Sequence, residues 1–82
     1  MLQTWGRDMQ ITIKLFAMLK NGRFDSAQRE CPDNTTIQDI LNGLAIPVSE
    51  AAIIFVNGRH ANPEDDLHHA DTVSIFPPIG GG

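Results

Sequence analysis

The sequence is short of most of what builds disulfide-stapled, membrane-bound or nucleic-acid-binding proteins. Its 82 residues hold one cysteine, Cys31. One cysteine excludes an internal disulfide framework and a thiol-rich zinc site, and fits a reducing, cytoplasmic compartment. Basic residues are few, six against ten acidic, for a net charge of -4. That balance speaks against phosphate-backbone binding, which relies on clustered Lys and Arg. It suits a partner with a basic surface. No apolar stretch approaches membrane-spanning length, and the opening MLQTWGRD has neither the core nor the cleavage site of a signal peptide. The expectation is one small domain that binds neither nucleic acid nor membrane.

What is present is patterned. From Met9 the odd positions read Met, Ile, Ile, Leu, Ala, Leu, and the even ones Gln, Thr, Lys, Phe, Met, Lys. This period of two predicts a half-buried strand from residue 9 to about residue 17. Residues 1–8 precede the pattern and are read as an N-terminal extension. Asn21-Gly22 signals a turn, and Ser26 to Cys31 a second extended stretch, making a loose hairpin. Pro32, Asp33 and Asn34 break it. Thr36 stands three residues before Asp39, a capping signal, and Ile37, Ile40, Leu41 and Leu44 share a helical face. A short helix over 37–44 follows, closed by Gly43 and Pro47.

Residues 52–56, AIIFV, are continuously apolar and too short for a helix, which predicts a strand buried on both faces. Asn57-Gly58 turns it. Residues 60–71 are polar and connective, with Leu67 as their core anchor. Thr72 to Phe76 forms the last strand, Val73 and Ile75 facing inward. Hairpin, helix, strand, connection and strand describe an α+β fold, a small mixed sheet covered by one main helix. By parity Phe16 and Phe76 lie off the core face, an exposed apolar pair of the kind that marks a partner surface, with Lys20 adding charge at its edge.

The sequence then runs FPPIGGG. Three glycines cannot pack a core, and Pro77 and Pro78 stiffen their root. Residues 79–82 form a tail able to reach roughly 13–14 Å when extended. Elsewhere no catalytic constellation is visible. Cys31 has no evident activating base. His68-His69, beside Asp65, Asp66 and Asp71, lacks helical ligand spacing, so no metal site is expected. The domain has no catalytic machinery of its own.

Four stretches together resemble the MoaD/ThiS sulfur-carrier family of ubiquitin-like β-grasp proteins, and its MoaD type in particular. They are LFAMLK at 15–20, Thr36-Ile37 through Ile40-Leu41, Val56-Asn57-Gly58, and DTVSIFPPIGGG at 71–82. The likeness covers residues 9–82, with the β-grasp domain at 9–78. It implies that Gly82 is the functional terminus, adenylated and converted to a thiocarboxylate, with Gly80 and Gly81 in the tail. It implies a partner surface of Phe16, Lys20, Phe76, Pro77, Pro78 and Ile79. It also implies three partners: an E1-like adenylating enzyme of MoeB/ThiF type, a sulfur donor protein, and a molybdopterin synthase large subunit of MoaE type. ATP would be used by the activating enzyme, and no cofactor is bound by the carrier. The Phe76-Pro77-Pro78 element favours molybdopterin synthesis over a ThiS-like role in thiamine thiazole synthesis. A ubiquitin-like protein modifier could carry the same Gly-Gly ending.

Overall fold

The structure is a computed structural model and describes residues 8–78. Strand β1 (Met9–Leu15) alternates between buried and outward residues. Phe16 stays extended, and a 3₁₀ turn over Ala17–Lys20 follows. The alternation therefore persists to Leu19 while the strand does not. Leu19 still reaches the core, 2% exposed, because the turn carries it there. Lys20–Arg23 closes as a type II turn: Asn21 has φ -62 and ψ 124, Gly22 has φ 73, and Arg23 N–H donates to the Lys20 carbonyl over 2.8 Å. Glycine suits that positive φ.

Strand β2 (Ser26–Cys31) runs antiparallel to β1, from Met9↔Cys31 to Lys14↔Ser26. Helix α1 (Ile37–Gly43) opens on a complete capping box. Asp39 N–H donates to Thr36 Oγ1 (3.2 Å) and Thr36 N–H to Asp39 Oδ2 (3.0 Å). Ile37, Ile40 and Leu41 are its buried face. The expected last residue, Leu44, is its cap. The end is a Schellman motif, with Ile46 N–H donating to the Leu41 carbonyl and Ala45 N–H to that of Asn42. Ala45 takes the left-handed position at φ 58, usually left to glycine.

Strands β3 (Ile53–Val56), β4 (Arg59–His60) and β5 (Thr72–Phe76) complete a five-stranded sheet of order β2-β1-β5-β3-β4. Only β1 and β5 pair in parallel. The core lies between the sheet and α1, built from Ile11, Ile13, Leu15, Ile54, Val73, Ile75, Ile37, Leu41 and Leu67. Two expectations are corrected. Strand β3 is buried on one face, since Ile54 is inside and Val56 packs against the core, while Ile53 and Phe55 on the other face are half-exposed. A continuous apolar run does not distinguish two covered faces from one covered face and one apolar outer face. The 60–71 connection also begins inside the sheet, with His60 in β4.

That connection is pinned to α1. Ile37 N–H donates to the Asp65 carbonyl, Gln38 N–H to that of Pro63, and Leu67 N–H to that of Thr35. Two of the helix's otherwise unpaired amides are satisfied this way. Arg23 does the corresponding work at the other end. Its Nε donates to the Leu44 carbonyl (3.0 Å), Nη1 to that of Leu19 (3.0 Å) and Nη2 to that of Ala45 (3.3 Å). One guanidinium thus ties the 3₁₀ turn to the C-terminus of α1, where a positive charge is also favoured.

Arg23→Ala is expected to lower stability by about 1.5–3 kcal/mol, the range for hydrogen bonds to a charged group. Arg23→Lys should recover only part, because an ammonium cannot present the same fork. Urea unfolding curves of the three proteins make the comparison. Equal stability of the Arg23→Lys variant and the unsubstituted chain would assign the effect to charge alone.

Candidate functional site

The outer face of the sheet carries an aromatic cluster at one end. Phe16 N–H donates to the Ile75 carbonyl over 3.2 Å, which extends the β1–β5 ladder by one residue. That step sets the Phe16 ring on the Phe76 ring, centroids 4.1 Å apart and planes 12° from parallel. Phe55 meets Phe76 edge to face at 5.9 Å, and His60 meets Phe55 in the same manner at 4.9 Å. Ile53 lies opposite Phe76 in the β3–β5 register. All four rings sit outside the core, and Phe16, Phe55 and Phe76 are each only half-exposed because they cover one another. Aromatic packing of this kind contributes about 0.5–1.5 kcal/mol per pair, yet one side of the cluster stays open to a partner.

The parity argument thus places Phe16 and Phe76 correctly and understates the surface. Phe55 and Ile53 escaped it because an unbroken apolar run conceals which residues face outward, and His60 because the sequence places it at the start of the polar connection. The paired register Phe55↔His60 and Phe55↔Ser74 was the missing information. Lys20, in the 3₁₀ turn that follows Phe16, forms an ion pair of 3.6 Å with Asp25. The cation in register with the cluster is Lys14, exposed, opposite Ser74, which in turn lies opposite Phe55. Pro77 is half-exposed and Pro78 exposed, and both leave the sheet at the aromatic end. Ile79, Gly80, Gly81 and Gly82 lie outside the described residues.

The opposite end of the sheet is a polar lock. Asn57 and Gly58, at φ 53 and 84, form the two-residue turn of the β3–β4 hairpin. The Asn57 side chain donates through Nδ2 to Asp71 Oδ1 (2.8 Å) and accepts at Oδ1 from Thr72 N–H (2.9 Å). Asp71, 8% exposed, also accepts from His68 N–H at Oδ2 (2.8 Å). His69 Nδ1 accepts from Gln10 N–H (3.1 Å). An open cleft of about 520 Å³ beside this lock is lined by Arg59, His60, Asp65, Asp66 and His68 among others. Its most buried carboxylate is consumed by the lock. Cys31 is buried at the end of β2, and desolvation pushes its thiol pKa above the ordinary cysteine value, partly opposed by Arg29. A thiol shifted upward is a poorer nucleophile near neutral pH. No helix among the described residues is long and apolar enough to cross a membrane.

This architecture has known counterparts. The chain matches the model of the ThiS family over residues 13–82. No curated protein sequence matches it. Among solved structures it is similar to SAMP1 from Haloferax volcanii, at 25% identity and TM-score 0.68, covering 89% of this chain and 99% of that one. The HVO 2177 protein of Haloferax volcanii is similar at 26% identity and TM-score 0.71, covering 92% and 88%. A putative molybdopterin converting factor subunit 1 from Pyrococcus furiosus shares the fold at 22% identity and TM-score 0.67, covering 87% and 99%. The fold is the ubiquitin-like β-grasp. With the family model spanning most of its length, the chain belongs to the ThiS family of ubiquitin-like sulfur carriers.

Proposed function

We propose that the chain carries sulfur on its C-terminal carbonyl for molybdopterin synthesis. The observation that carries this reading is the stacked Phe16–Phe76 pair, with Phe55 beside it, at the sheet end where Pro77 and Pro78 lead toward Gly82. The aromatic face and the root of the tail, Pro77 and Pro78, then share one end of the molecule. In this reading an E1-like enzyme of MoeB/ThiF type grips the aromatic face and takes the glycine tail into its nucleotide site. A Gly82 carboxylate oxygen attacks the α-phosphorus of ATP and pyrophosphate leaves. The outer sulfur of a donor protein's persulfide then attacks the acyl carbon and displaces AMP, giving an acyl disulfide. A thiol attacks the donor-side sulfur of that bond, so that the thiocarboxylate leaves and a new disulfide remains on the donor. The same face then meets a MoaE-type large subunit, which receives the sulfur for its pterin precursor.

Physical chemistry supports the residue types. A carboxylate is a poor electrophile until adenylated, and acyl-adenylate sites exclude water, so the tail must enter a narrow passage. Glycine alone lets backbone through that closely. Prolines at 77 and 78 lower the tail root's freedom and so the entropy lost on insertion. Cys31 does not compete for the role, since it is buried with its thiolate disfavoured. A second reading has its own support: the similarity to SAMP1, a small archaeal modifier protein by name, favours joining of the Gly82 carboxyl to lysines of other proteins. Intact-mass analysis of protein from its native host separates the two. Sulfur in place of one terminal oxygen supports the carrier. Gly-Gly remnants on target lysines support the modifier.

Adding one residue after Gly82 is expected to abolish ATP-dependent adenylation by the cognate enzyme while the melting temperature stays unchanged. The extra peptide bond consumes the carboxylate and carries the new one past the reacting position. Normal turnover of the extended chain, without trimming, would remove the terminus from the mechanism.

Phe76→Ala is expected to weaken binding to the adenylating enzyme by about 2 kcal/mol or more, the loss typical of a central interface aromatic. Loss of its two ring contacts should also cost about 1–3 kcal/mol of stability. Titration calorimetry and thermal melts on one preparation read both. A large melting loss at unchanged affinity would make the cluster a structural element only.

A further inference from the structure

A net charge of -4 favours a basic partner only if it is spread evenly over the surface. The sheet spreads it unevenly. Glu30 is the only carboxylate in the five strands, whereas Lys14, Arg29, Arg59 and His60 all stand in them. The strand registers sort these residues by face. Arg29 lies opposite the buried Ile11, and its guanidinium covers the Phe24 ring at 5.1 Å, so it belongs to the core side of β2. Arg59 lies opposite Val56, which packs against the core. Lys14 and His60 are left on the outer face, with the aromatic cluster.

These two lie in a single row across the sheet. Lys14 is opposite Ser74, Ser74 opposite Phe55, and Phe55 opposite His60. Three strand spacings separate the ends of the row, about 14 Å. Phe16, Phe76 and Ile53 make the next row toward Pro77. The row on the other side, Gln28, Thr12 and Thr72, is neutral. Glu30 is four residues along β2 from Ser26, the residue opposite Lys14, and so about 13 Å from that row. The ion pairs among the described residues are Lys20 with Asp25 and His68 with Asp71, so the exposed Lys14 ammonium is unanswered there. The His60 ring is held edge-on to Phe55 at 4.9 Å and offers an N–H in either protonation state.

We propose that the partner covering the aromatic face is acidic: a protein surface with an apolar centre for Phe16, Phe76 and Phe55 and carboxylates at its rim, one meeting Lys14 and one His60. The proposal rests on the carrier reading above and names what the adenylating enzyme presents to this chain. The apolar centre supplies most of the affinity. The two rim contacts supply orientation, since anchors on opposite sides of the cluster fix how the enzyme sits over the sheet and hence over the root of the tail. A basic surface is selected against, because it would set like charge on Lys14.

The probe is the host enzyme that adenylates Gly82, purified by that activity and titrated with the full-length chain at low and high salt. Lys14→Glu is expected to weaken binding about tenfold or more at about 50 mM salt and about threefold or less at about 500 mM, where the pair is screened. Lys14→Arg, which keeps the charge, should bind within about twofold of the unsubstituted chain. Arg29→Glu makes the same change of net charge on the core side of β2 and should cost about threefold or less. Carbodiimide coupling of the complex should join Lys14 Nζ to an Asp or Glu of the enzyme. Equal losses for Lys14→Glu and Arg29→Glu would overturn the proposal, because net charge alone would then explain them. So would a loss that salt does not reduce. If Phe76→Ala weakens binding and Lys14→Glu does not, the acidic rim falls and the aromatic docking face stands. If Phe76→Ala binds normally, the docking face falls and the rim with it.

Discussion

The parallel pairing of β1 with β5 is the constraint on which the rest of the molecule depends. Strands far apart in sequence lie side by side in the centre of the sheet, from Thr12↔Thr72 to Leu15↔Ile75. Parallel neighbours require a crossover, and α1 with its flanking segments supplies one while covering the core face. The pairing buries Ile13, Leu15, Val73 and Ile75 at 2% exposure or less. Its last step, from Phe16 N–H to the Ile75 carbonyl, sets the Phe16 ring on that of Phe76. A slip of one residue would exchange the faces of a strand, moving the aromatic pair and burying polar groups together. Core and aromatic cluster are two faces of one register.

Much of this was legible in the sequence because it rests on local periodicity. β2 and β5 fall at their expected limits, Leu67 anchors its connection, and the Thr36–Asp39 box opens α1. What escaped depended on contacts between distant residues. Strand β1 stops at Leu15 although the alternation continues to Leu19, because the chain turns at Ala17, φ 54, to bring Leu19 over the core. Phe55 looked buried until β4 and β5 fixed its side of the sheet. The ion pair of Lys20 with Asp25 was also out of reach, because a 3₁₀ turn has neither strand parity nor strand direction from which to read it. Arg23 carried no signal at all. Its partners are carbonyls of Leu19, Leu44 and Ala45, which exist as acceptors only once both helical ends are formed.

The polar motifs divide by end of the sheet. Val56-Asn57-Gly58 and the opening of Asp71-Thr72 are separated in sequence but form one network, in which the Asn57 amide both receives Thr72 N–H and holds Asp71. That network closes the β3–β4 turn and fastens the start of β5. Its residues are structural, although a spacing of histidines and aspartates around it invites a metal reading. With His68 N–H and Asn57 Nδ2 already on the Asp71 carboxylate, the chemistry there is hydrogen bonding.

At the other end the division is reversed. The rings of the aromatic cluster are half-exposed, and the last described residues are prolines that donate no backbone hydrogen bond. Under the proposed reading, the enzyme that covers this face supplies the activation of the terminus, so that recognition would belong to the sheet and chemistry to the visitor. The rigidity of the stacked pair matters for that division, because two rings already held at 4.1 Å lose little side-chain freedom when a partner closes over them. Under that proposal the chain's own contribution is positional: a pre-ordered face at the root of the tail, Pro77 and Pro78.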